Sequence, residues 1–136
     1  MKAHLATFFA LMLIQSSCAS AGGIGVNHAP AHHAAKVKAR ADNVRDTARQ
    51  IVGDPQQFQC LDQIVQQESG WDYTAVNAAS GAYGLFQALP PSRMDSAGKD
   101  WETNFRTQIK WGVDYMKTRY GSPCVALAFR RGHGWY

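Results

Sequence analysis

Apolar residues recur along much of the chain at intervals of three and four, the spacing that places them on one face of a helix. The first stretch of this kind starts at Lys36 and ends at Gly53. Lysine, arginine and aspartate occupy its other faces, so the pattern predicts an amphipathic helix that docks through one narrow stripe. The stripe consists of Val37, Ala41, Val44, Ala48 and Ile51.

A second helix is predicted from Pro55 to about Glu68, with Asp54 as its N-cap. Proline suits the first helical position, and Gln57 stands where a capping box requires it. The apolar residues of this helix are Phe58, Leu61, Ile64 and Val65. The next position on their stripe calls for another apolar side chain, but the chain has Glu68 there, and Ser69 follows as the helix ends. A carboxylate at a core position needs a physical explanation.

Two further helices are predicted in the C-terminal third of the chain. One begins after a cap at Thr103 or Asn104 and ends at Gly121, and a shorter one begins at Ser122. Between the second and third helices, residues 77–91 contain two glycines and end in two prolines, which predicts loops with a short strand pair. At this length the pattern predicts one domain of the α+β class that is mainly α.

The first 21 residues contain the three regions of a secretory signal peptide in their usual order. Lys2 provides a positively charged start, and Ala19-Ser20-Ala21 is a cleavage site for signal peptidase. The apolar run between them, residues 5–14, has ten residues and is too short to span a bilayer. We therefore expect a secreted protein, extracellular or associated with the cell wall, without stable membrane insertion after cleavage.

Cleavage at this site divides the chain into a signal peptide at 1–21, a flexible leader at 22–35 and one domain at 36–136. Lipidation of Cys18 is a second processing route, which the sequence disfavours because Gln15 stands where the lipoprotein pattern has an aliphatic residue. The three histidines of the leader have no cysteine or acidic residue nearby, so no metal site is predicted.

Two of the three cysteines, Cys60 and Cys124, remain after signal cleavage. An even pair in an oxidising compartment predicts a disulfide. Such a bond closes a long loop and is expected to contribute about 3–5 kcal/mol to stability. A domain of this size has a modest hydrophobic core and gains from the constraint.

The cleaved chain is mildly basic, with 13 lysines and arginines against 10 acidic residues once Lys2 is removed. The resulting charge of +3 favours an anionic polymer such as a bacterial cell wall. It is too small to indicate a nucleic-acid partner, and no basic run with interleaved aromatic residues supports one.

Position alone leaves two explanations of Glu68 open. In the first, its side chain leaves the apolar stripe at the helix end and pairs with a nearby cation. In the second, it is a general acid, because an apolar pocket and the negative end of a helix dipole both raise the pKa of a carboxyl group. Glycoside cleavage requires such an acid. The aromatic residues available as sugar-stacking walls are Trp71, Tyr73, Tyr83 and Phe86.

Two short segments, "ESGW" and "NAASGAYGLFQALP", carry a resemblance to a known family. Glu68 and Ser69 at a helix end, followed within twenty residues by the GLFQ motif at 84–87, resemble the catalytic domain of soluble lytic transglycosylases. That family has a Glu-Ser pair and a Gly-Leu-Met-Gln motif, and it is related in fold to goose-type lysozyme. The "SGAYG", "SPC" and "HGWY" segments also resemble those of its small secreted actinobacterial members. The resemblance covers roughly residues 48–136.

The resemblance implies a lysozyme-like fold and cleavage of the β-1,4 bond between N-acetylmuramic acid and N-acetylglucosamine in peptidoglycan. Glu68 would be both acid and base, the substrate's own 2-acetamido oxygen would stabilise the cationic anomeric carbon, and the product would be a 1,6-anhydro sugar. The residues it implies in substrate binding are Ser69, Tyr83, Gln87, Phe129 and His133. We expect a monomer that needs no cofactor and no metal.

The chain departs from the family where its usual Ala-Tyr-Asn motif corresponds to Ala128-Phe129-Arg130, which lacks the tyrosine hydroxyl near the catalytic carboxyl. Two alternatives follow. A hydrolytic lysozyme would need an aspartate to position water, and the candidates are Asp72, Asp95 and Asp100. A non-catalytic cell-wall-binding module would explain the missing hydroxyl, but it would gain nothing from a costly carboxylate on an apolar stripe. Glu102 is expected on the surface.

Overall fold

The computed structural model describes residues 29–134, which form four α-helices and one 3₁₀ helix. The helices are α1 (Ala29–Val52), α2 (Pro55–Glu68), α3 (Phe105–Tyr120) and α4 (Pro123–His133), and the 3₁₀ helix spans Pro91–Ser96. The predicted fold class, mainly α, is confirmed. Within this part of the chain, no helix is long and apolar enough to cross a membrane. The predicted signal peptide and Cys18 lie outside the described residues.

The first helix starts earlier than the sequence pattern predicts. It begins at Ala29 rather than Lys36, so residues 29–35, which we assigned to a flexible leader, are helical. Alanine has the highest helix propensity, and Pro30 is tolerated because it stands in the first turn. Apolar periodicity could not detect this segment because its alanines and histidines form no apolar stripe. The remaining boundaries between signal peptide, leader and domain stay predictions.

Side-chain caps set the starts of three helices. Asp54 accepts hydrogen bonds from two backbone N–H groups in the first turn of α2, at 2.8 and 3.0 Å, and Asn104 and Ser122 cap α3 and α4. The capping box predicted at Gln57 is wrong, because the Gln57 side chain does not accept from the backbone N–H of Asp54. The side-chain oxygen of Gln57 accepts from the backbone N–H of Cys124 at 3.1 Å and so ties the start of α2 to the start of α4.

A disulfide joins Cys60 on α2 to Cys124 on α4, as predicted, with 4.9 Å between the two Cα atoms. The two cysteines are 64 residues apart, so the bond closes a loop that contains the turn-rich segment and all of α3. Helices α2 and α4 also pack directly on each other. The α2–α4 pair is therefore held both by packing and by a covalent bond.

The hydrophobic core lies between the four helices, with α1 packed on α2 and α3, and α4 packed on α2 and α3. The apolar stripe of α2 is its centre, because the side chains predicted to be buried there are buried in the structure. The 3₁₀ helix packs on α3 and contributes one buried methionine. The largest fully buried side chains include Leu61, Ile64, Leu85, Met94, Ile109 and Met116.

The turn-rich segment contains two isolated antiparallel bridges rather than paired strands of any length. They join Val76 to Tyr83 and Tyr83 to Ala88. Gly81 and Gly84 have φ angles of 79° and 76°, in the left-handed region that glycine adopts at little cost. The backbone N–H of Gly81 donates to the carbonyl of Asn77 in the turn between the bridged residues, and that of Gly84 donates to the carbonyl of Ala75 beside the first bridge. The loops and short strand pair predicted within residues 77–91 are present in this reduced form.

Candidate active site

Glu68, the last residue of α2, lines a cleft of about 310 Å³. The cleft lies between the end of α2, helices α3 and α4, and the segment that follows the GLFQ motif. Among the described residues, Glu68 is the only carboxylate in its lining, and the side chain is 18% exposed. Other lining residues include Phe86, Gln87, Arg93, Trp111, Tyr115 and Arg130.

The carboxylate of Glu68 is paired with Arg130 of α4. Nε and Nη2 of the arginine donate to Oε1 of Glu68 at 3.0 and 2.7 Å, and Nη1 donates to the side-chain oxygen of Gln67. The Arg130 side chain is 20% exposed, so the pair is better shielded from water than an ordinary surface salt bridge. Arg130 is thus the cation that a structural role for Glu68 requires. Glu68 also lines the cleft, which is the position that a general acid requires.

Ser69 connects the end of α2 to the GLFQ motif. It is the C-cap residue of α2, and its hydroxyl donates to the backbone carbonyl of Leu85 at 3.1 Å. This hydrogen bond fixes the GLFQ motif relative to the end of α2, where Glu68 stands. Ser69 itself is not among the cleft-lining residues. The contact with sugar that the resemblance implies for Ser69 stays a prediction.

Gln108 of α3, which is fully buried, holds the motif from the other side. Its Oε1 accepts from the backbone N–H of Leu85 at 2.9 Å, and its Nε2 donates to the carbonyls of Tyr73 and Trp101 at 2.9 and 2.8 Å. A Cβ on Gly84 would overlap the Gln108 amide, and the φ angle of 76° also favours glycine there. The first residue of the motif is therefore required by space and by conformation.

Gln87, the last residue of the motif, lines the same cleft as Glu68. The contact with substrate that the resemblance implies for Gln87 stays a prediction. Its φ angle is 48°, which few residues other than glycine adopt. The side-chain nitrogen donates to the carbonyls of Ala75 and Gly84 at 3.3 and 3.1 Å. No group in residues 29–134 donates to Oε1 of Gln87, so this oxygen is available to accept a hydrogen bond from a ligand.

Helix α3 contributes an aromatic face to the cleft that sequence analysis missed. Trp111 and Tyr115 stack with their ring centroids 5.2 Å apart and an interplanar angle of 14°, and Phe86 meets Trp111 edge-on at 6.4 Å. The Arg93 guanidinium lies 5.9 Å from the centroid of the Tyr115 ring. Burial raises the pKa of Tyr115 above its ordinary value. The sequence shows that Trp111 and Tyr115 are four residues apart, and hence on one side of a helix, but it does not show that this side faces the cleft.

The family model named "Transglycosylase SLT domain" matches residues 54–131, which are 78 of the 136 residues. The chain belongs to the SLT transglycosylase domain family. The matched region begins at the cap of α2 and ends one residue after Arg130, so it includes every described residue that lines the cleft except Gly134.

A curated relative supports the same family. The probable transglycosylase IsaA of Staphylococcus haemolyticus (strain JCSC1435) is 39% identical over 74 residues. That match covers 54% of this chain and 27% of the relative, so this SLT domain corresponds to about a quarter of the longer protein. No solved structure gives a significant match to the chain.

Of the four aromatic residues predicted as sugar-stacking walls, Phe86 lines the cleft of this SLT domain and three do not. Trp71 is only 2% exposed and belongs to the core. Tyr73 packs against an aromatic ring of α3, and Tyr83 donates its hydroxyl to the backbone carbonyl of Glu102 at 3.1 Å. Tyr83 is not among the cleft-lining residues, and its implied contact with substrate stays a prediction.

Phe129 and His133 lie on α4, on either side of Arg130 in sequence. Their rings stack with centroids 4.0 Å apart, and Nδ1 of His133 lies 2.9 Å from the backbone oxygen of Phe129. Neither residue lines the cleft, although Gly134, the residue after α4, does. The substrate contacts implied for Phe129 and His133 therefore stay predictions, and the two rings act here as packing partners.

The three aspartates considered for a hydrolytic mechanism lie outside the cleft lining. Asp72 caps a turn. Asp100 accepts hydrogen bonds from the side chains of Asn104 and Thr107 at the start of α3. Hydrogen bonds from Lys99 and Trp101 lower the pKa of Asp95. The described part of the SLT domain thus brings no aspartate to the cleft to hold an attacking water. Within the same residues there is no cluster of side chains suited to a metal ion.

Proposed function

We propose that this SLT domain is a peptidoglycan lytic transglycosylase that cleaves the bond between N-acetylmuramic acid and N-acetylglucosamine and leaves a 1,6-anhydro end. The observation that carries the proposal is the position of Glu68. It is the only carboxylate in the described cleft lining, it stands at the end of α2, and it lies beside Gln87 and the aromatic face of α3. Membership of the family supports transglycosylase chemistry, and the bond and product are our proposal.

In the first step, the O–H bond of protonated Glu68 breaks and its proton passes to the bridging oxygen. The bond from that oxygen to the anomeric carbon breaks, and its electron pair stays on the leaving oxygen. The substrate's 2-acetamido oxygen bonds to the anomeric carbon and stabilises the positive charge. A second carboxylate is therefore not needed, which agrees with the single carboxylate of the cleft lining described above.

In the second step, ionised Glu68 accepts the proton of the 6-hydroxyl of the same sugar. The oxygen of that hydroxyl attacks the anomeric carbon and displaces the acetamido oxygen, which closes the 1,6-anhydro ring. Glu68 ends the cycle protonated, as it began. No water is consumed, so the product is lighter by one water than the product of hydrolysis.

The cleft contains groups that suit a peptidoglycan strand. The rings of Trp111 and Tyr115 offer a broad aromatic surface for the apolar face of a sugar. The side-chain oxygen of Gln87 can accept from a sugar hydroxyl or from an acetamido N–H. Arg93 brings a positive charge to the cleft, which favours the carboxylates of an anionic glycan. Ser69 holds the wall that carries Gln87.

We also infer that the protein acts outside the cell as a monomer. The disulfide between Cys60 and Cys124 is typical of an oxidising compartment, and the predicted signal peptide accounts for export. Peptidoglycan strands are then the partner, and no nucleic acid and no membrane insertion are involved.

A non-catalytic cell-wall-binding module is the second candidate function, and the pair between Glu68 and Arg130 favours it. A shielded carboxylate that is matched by an arginine has a structural use without any chemistry. Phe129 also lacks the hydroxyl that the family places near its acid. Such a module would bind peptidoglycan through the same cleft and release nothing.

Replacement of Glu68 by glutamine tests the proposal, because glutamine keeps the size of glutamate but has no proton to give. We expect turnover of purified peptidoglycan to fall by roughly 10²–10⁴-fold, the usual contribution of general acid–base catalysis. Glu102→Gln is the matched control, since Glu102 is exposed and lies outside the cleft lining, and it should keep wild-type turnover.

Mass spectrometry of the released sugars separates the candidates. Anhydro products from the wild type that disappear in Glu68→Gln support the transglycosylase. Hydrated products would indicate a lysozyme. A wild-type protein that binds peptidoglycan and releases no fragment would leave the binding module as the function.

A further inference from the structure

Arg130 holds only one of the two oxygens of the Glu68 carboxylate. Nε and Nη2 both donate to Oε1, at 3.0 and 2.7 Å, while Nη1 donates to the side chain of Gln67. One planar guanidinium thus binds two successive side chains at the end of α2. This geometry sets the plane and the rotamer of the carboxylate as well as opposing its charge.

The second oxygen, Oε2, has a different environment. Within residues 29–134, no group donates a hydrogen bond to Oε2 of Glu68, and no buried side-chain nitrogen or oxygen lacks a partner. Oε2 is therefore not enclosed by the protein. Because Glu68 lines the cleft, Oε2 is the oxygen that a bound ligand can reach.

The position of Arg130 is set by the packing of two helices that are covalently joined. The disulfide between Cys60 and Cys124 connects α2 to α4, and the two helices pack along their length. Arg131, the next residue, donates to a glutamine of α2 at 2.7 Å on the exposed side of the pair. Arg130 therefore reaches Glu68 from a fixed base on α4 and not from a mobile loop.

We propose that Arg130 is a positioning residue that anchors Oε1 of Glu68 and leaves Oε2 to carry the proton in both steps of the reaction. The proposal rests on the proposed function, since it takes Glu68 as the acid and base. In the first step the O–H bond at Oε2 breaks and the proton passes to the bridging oxygen. In the second step Oε2 accepts the proton of the 6-hydroxyl.

Two advantages follow from an anchored oxygen. The carboxylate does not need to rotate between the steps, because the same oxygen faces both proton positions, and correct placement of a reacting group is worth orders of magnitude in rate. The carboxylate that forms when the proton leaves also meets a cation that is already in place and needs no reorganisation. Both advantages act on turnover and not on the binding of the glycan.

Substitutions at Arg130 test the anchor by separating kcat from KM. For Arg130→Ala we expect kcat to fall by about 10²-fold, the scale associated with a misplacement of about 1 Å, while KM changes by no more than about threefold. Arg130→Lys keeps the charge but cannot present two donors in a fixed plane, so we expect an intermediate loss of about tenfold. Arg131→Ala is the matched control from the same helix and should retain the wild-type kcat.

Two further measurements distinguish positioning from a purely structural role. Added methylguanidinium should restore part of the kcat of Arg130→Ala, because it can occupy the vacated site, and it should not change Arg131→Ala. In a Glu68→Gln background, Arg130→Ala should leave the affinity for an intact glycan unchanged by calorimetry. Thermal unfolding shows whether each variant is folded. If Arg130→Ala does not fold, the kcat and KM of Arg130→Lys decide whether Arg130 is a positioning residue.

A kcat for Arg130→Ala equal to or above that of the wild type would overturn the proposal, and so would a loss confined to KM. The first result would mean that Arg130 restrains Glu68 rather than aligning it. A wild-type protein that releases no anhydro product would refute the proposed function and the anchor with it. An active wild type, an inactive Glu68→Gln and a fully active Arg130→Ala would refute the anchor alone.

Discussion

Replacement of Gln108 by methionine should weaken the fold and disturb the cleft at the same time. Methionine has a similar volume, but it removes the acceptor for the backbone N–H of Leu85 and the donor for the carbonyls of Tyr73 and Trp101. Gln108 and Leu85 are both fully buried, so water cannot replace the bond between them. The two carbonyls belong to half-buried residues, which water reaches in part.

We expect this substitution to lower the free energy of unfolding by about 3–5 kcal/mol. An unpaired buried backbone N–H costs about 1–3 kcal/mol, and each of the two bonds to the half-buried carbonyls contributes about 1 kcal/mol. Domains of this kind unfold with about 5–15 kcal/mol in total, so Gln108→Met should remain folded with a much lower midpoint. Turnover should fall as well, because the loop held by Gln108 carries Gln87 into the cleft.

Urea unfolding of the oxidised protein, followed by circular dichroism and tryptophan fluorescence, measures the loss by linear extrapolation. Gln59→Met is the matched control, since Gln59 is exposed on α2, and this change should shift stability by no more than about 0.5 kcal/mol. A loss below about 1 kcal/mol in Gln108→Met would refute the idea that this side chain links the motif to α3. Wild-type turnover in Gln108→Met would mean that the cleft works without the hydrogen bonds that Gln108 makes to the loop.

Three other substitutions have defined outcomes. Serine at both Cys60 and Cys124 should lower the free energy of unfolding by about 4 kcal/mol, because a bond across 64 residues restricts the unfolded chain. Urea unfolding measures this loss, and a loss below about 1 kcal/mol would contradict the prediction. Tyr115→Ala should raise KM about tenfold with little change in kcat, since a stacking contact of about 1.4 kcal/mol would act equally before and during the reaction; steady-state kinetics decides. Hydrogen bonds from Lys99 and Trp101 lower the pKa of Asp95, so its contribution to stability is present above the usual range of an aspartate and is lost as pH falls through the lowered folded-state pKa. Asp95→Asn should remove that part of the acid sensitivity, and identical declines of Tm towards acid pH in both proteins would count against it.

The starts of three helices and the carboxylate on the cleft wall were predictable because their signals are local. Pro55 after an aspartate, a cap at Asn104 and a Ser-Pro start for α4 each satisfy the free groups of a helix end from neighbouring residues, and the structure has these starts. Glu68 breaks the apolar stripe of α2, and this break can be recognised without any tertiary information. The early start of α1 escaped prediction since alanine supports a helix without marking a buried face.

Long-range contacts decided the rest. Arg130 stands 62 residues after Glu68, and in the sequence it was only a departure from a family motif, next to a missing hydroxyl. The docking of α4 on α2 turns it into the partner of the carboxylate. Packing of α3 likewise chose which of its faces would carry Trp111 and Tyr115 into the cleft.

The sequence by itself determined the starts of α2, α3 and α4, the disulfide partners and the residue that breaks the stripe of α2. Each of these depends on residue types and spacings within one or two turns, or on the count of cysteines in a compartment. The tertiary structure alone decided which oxygen of Glu68 is bound, which aromatics face the cleft and which buried amide supports the GLFQ motif. Those features depend on the angles and registers at which helices pack, and hydrophobic periodicity records only that a face is buried, not what it is buried against.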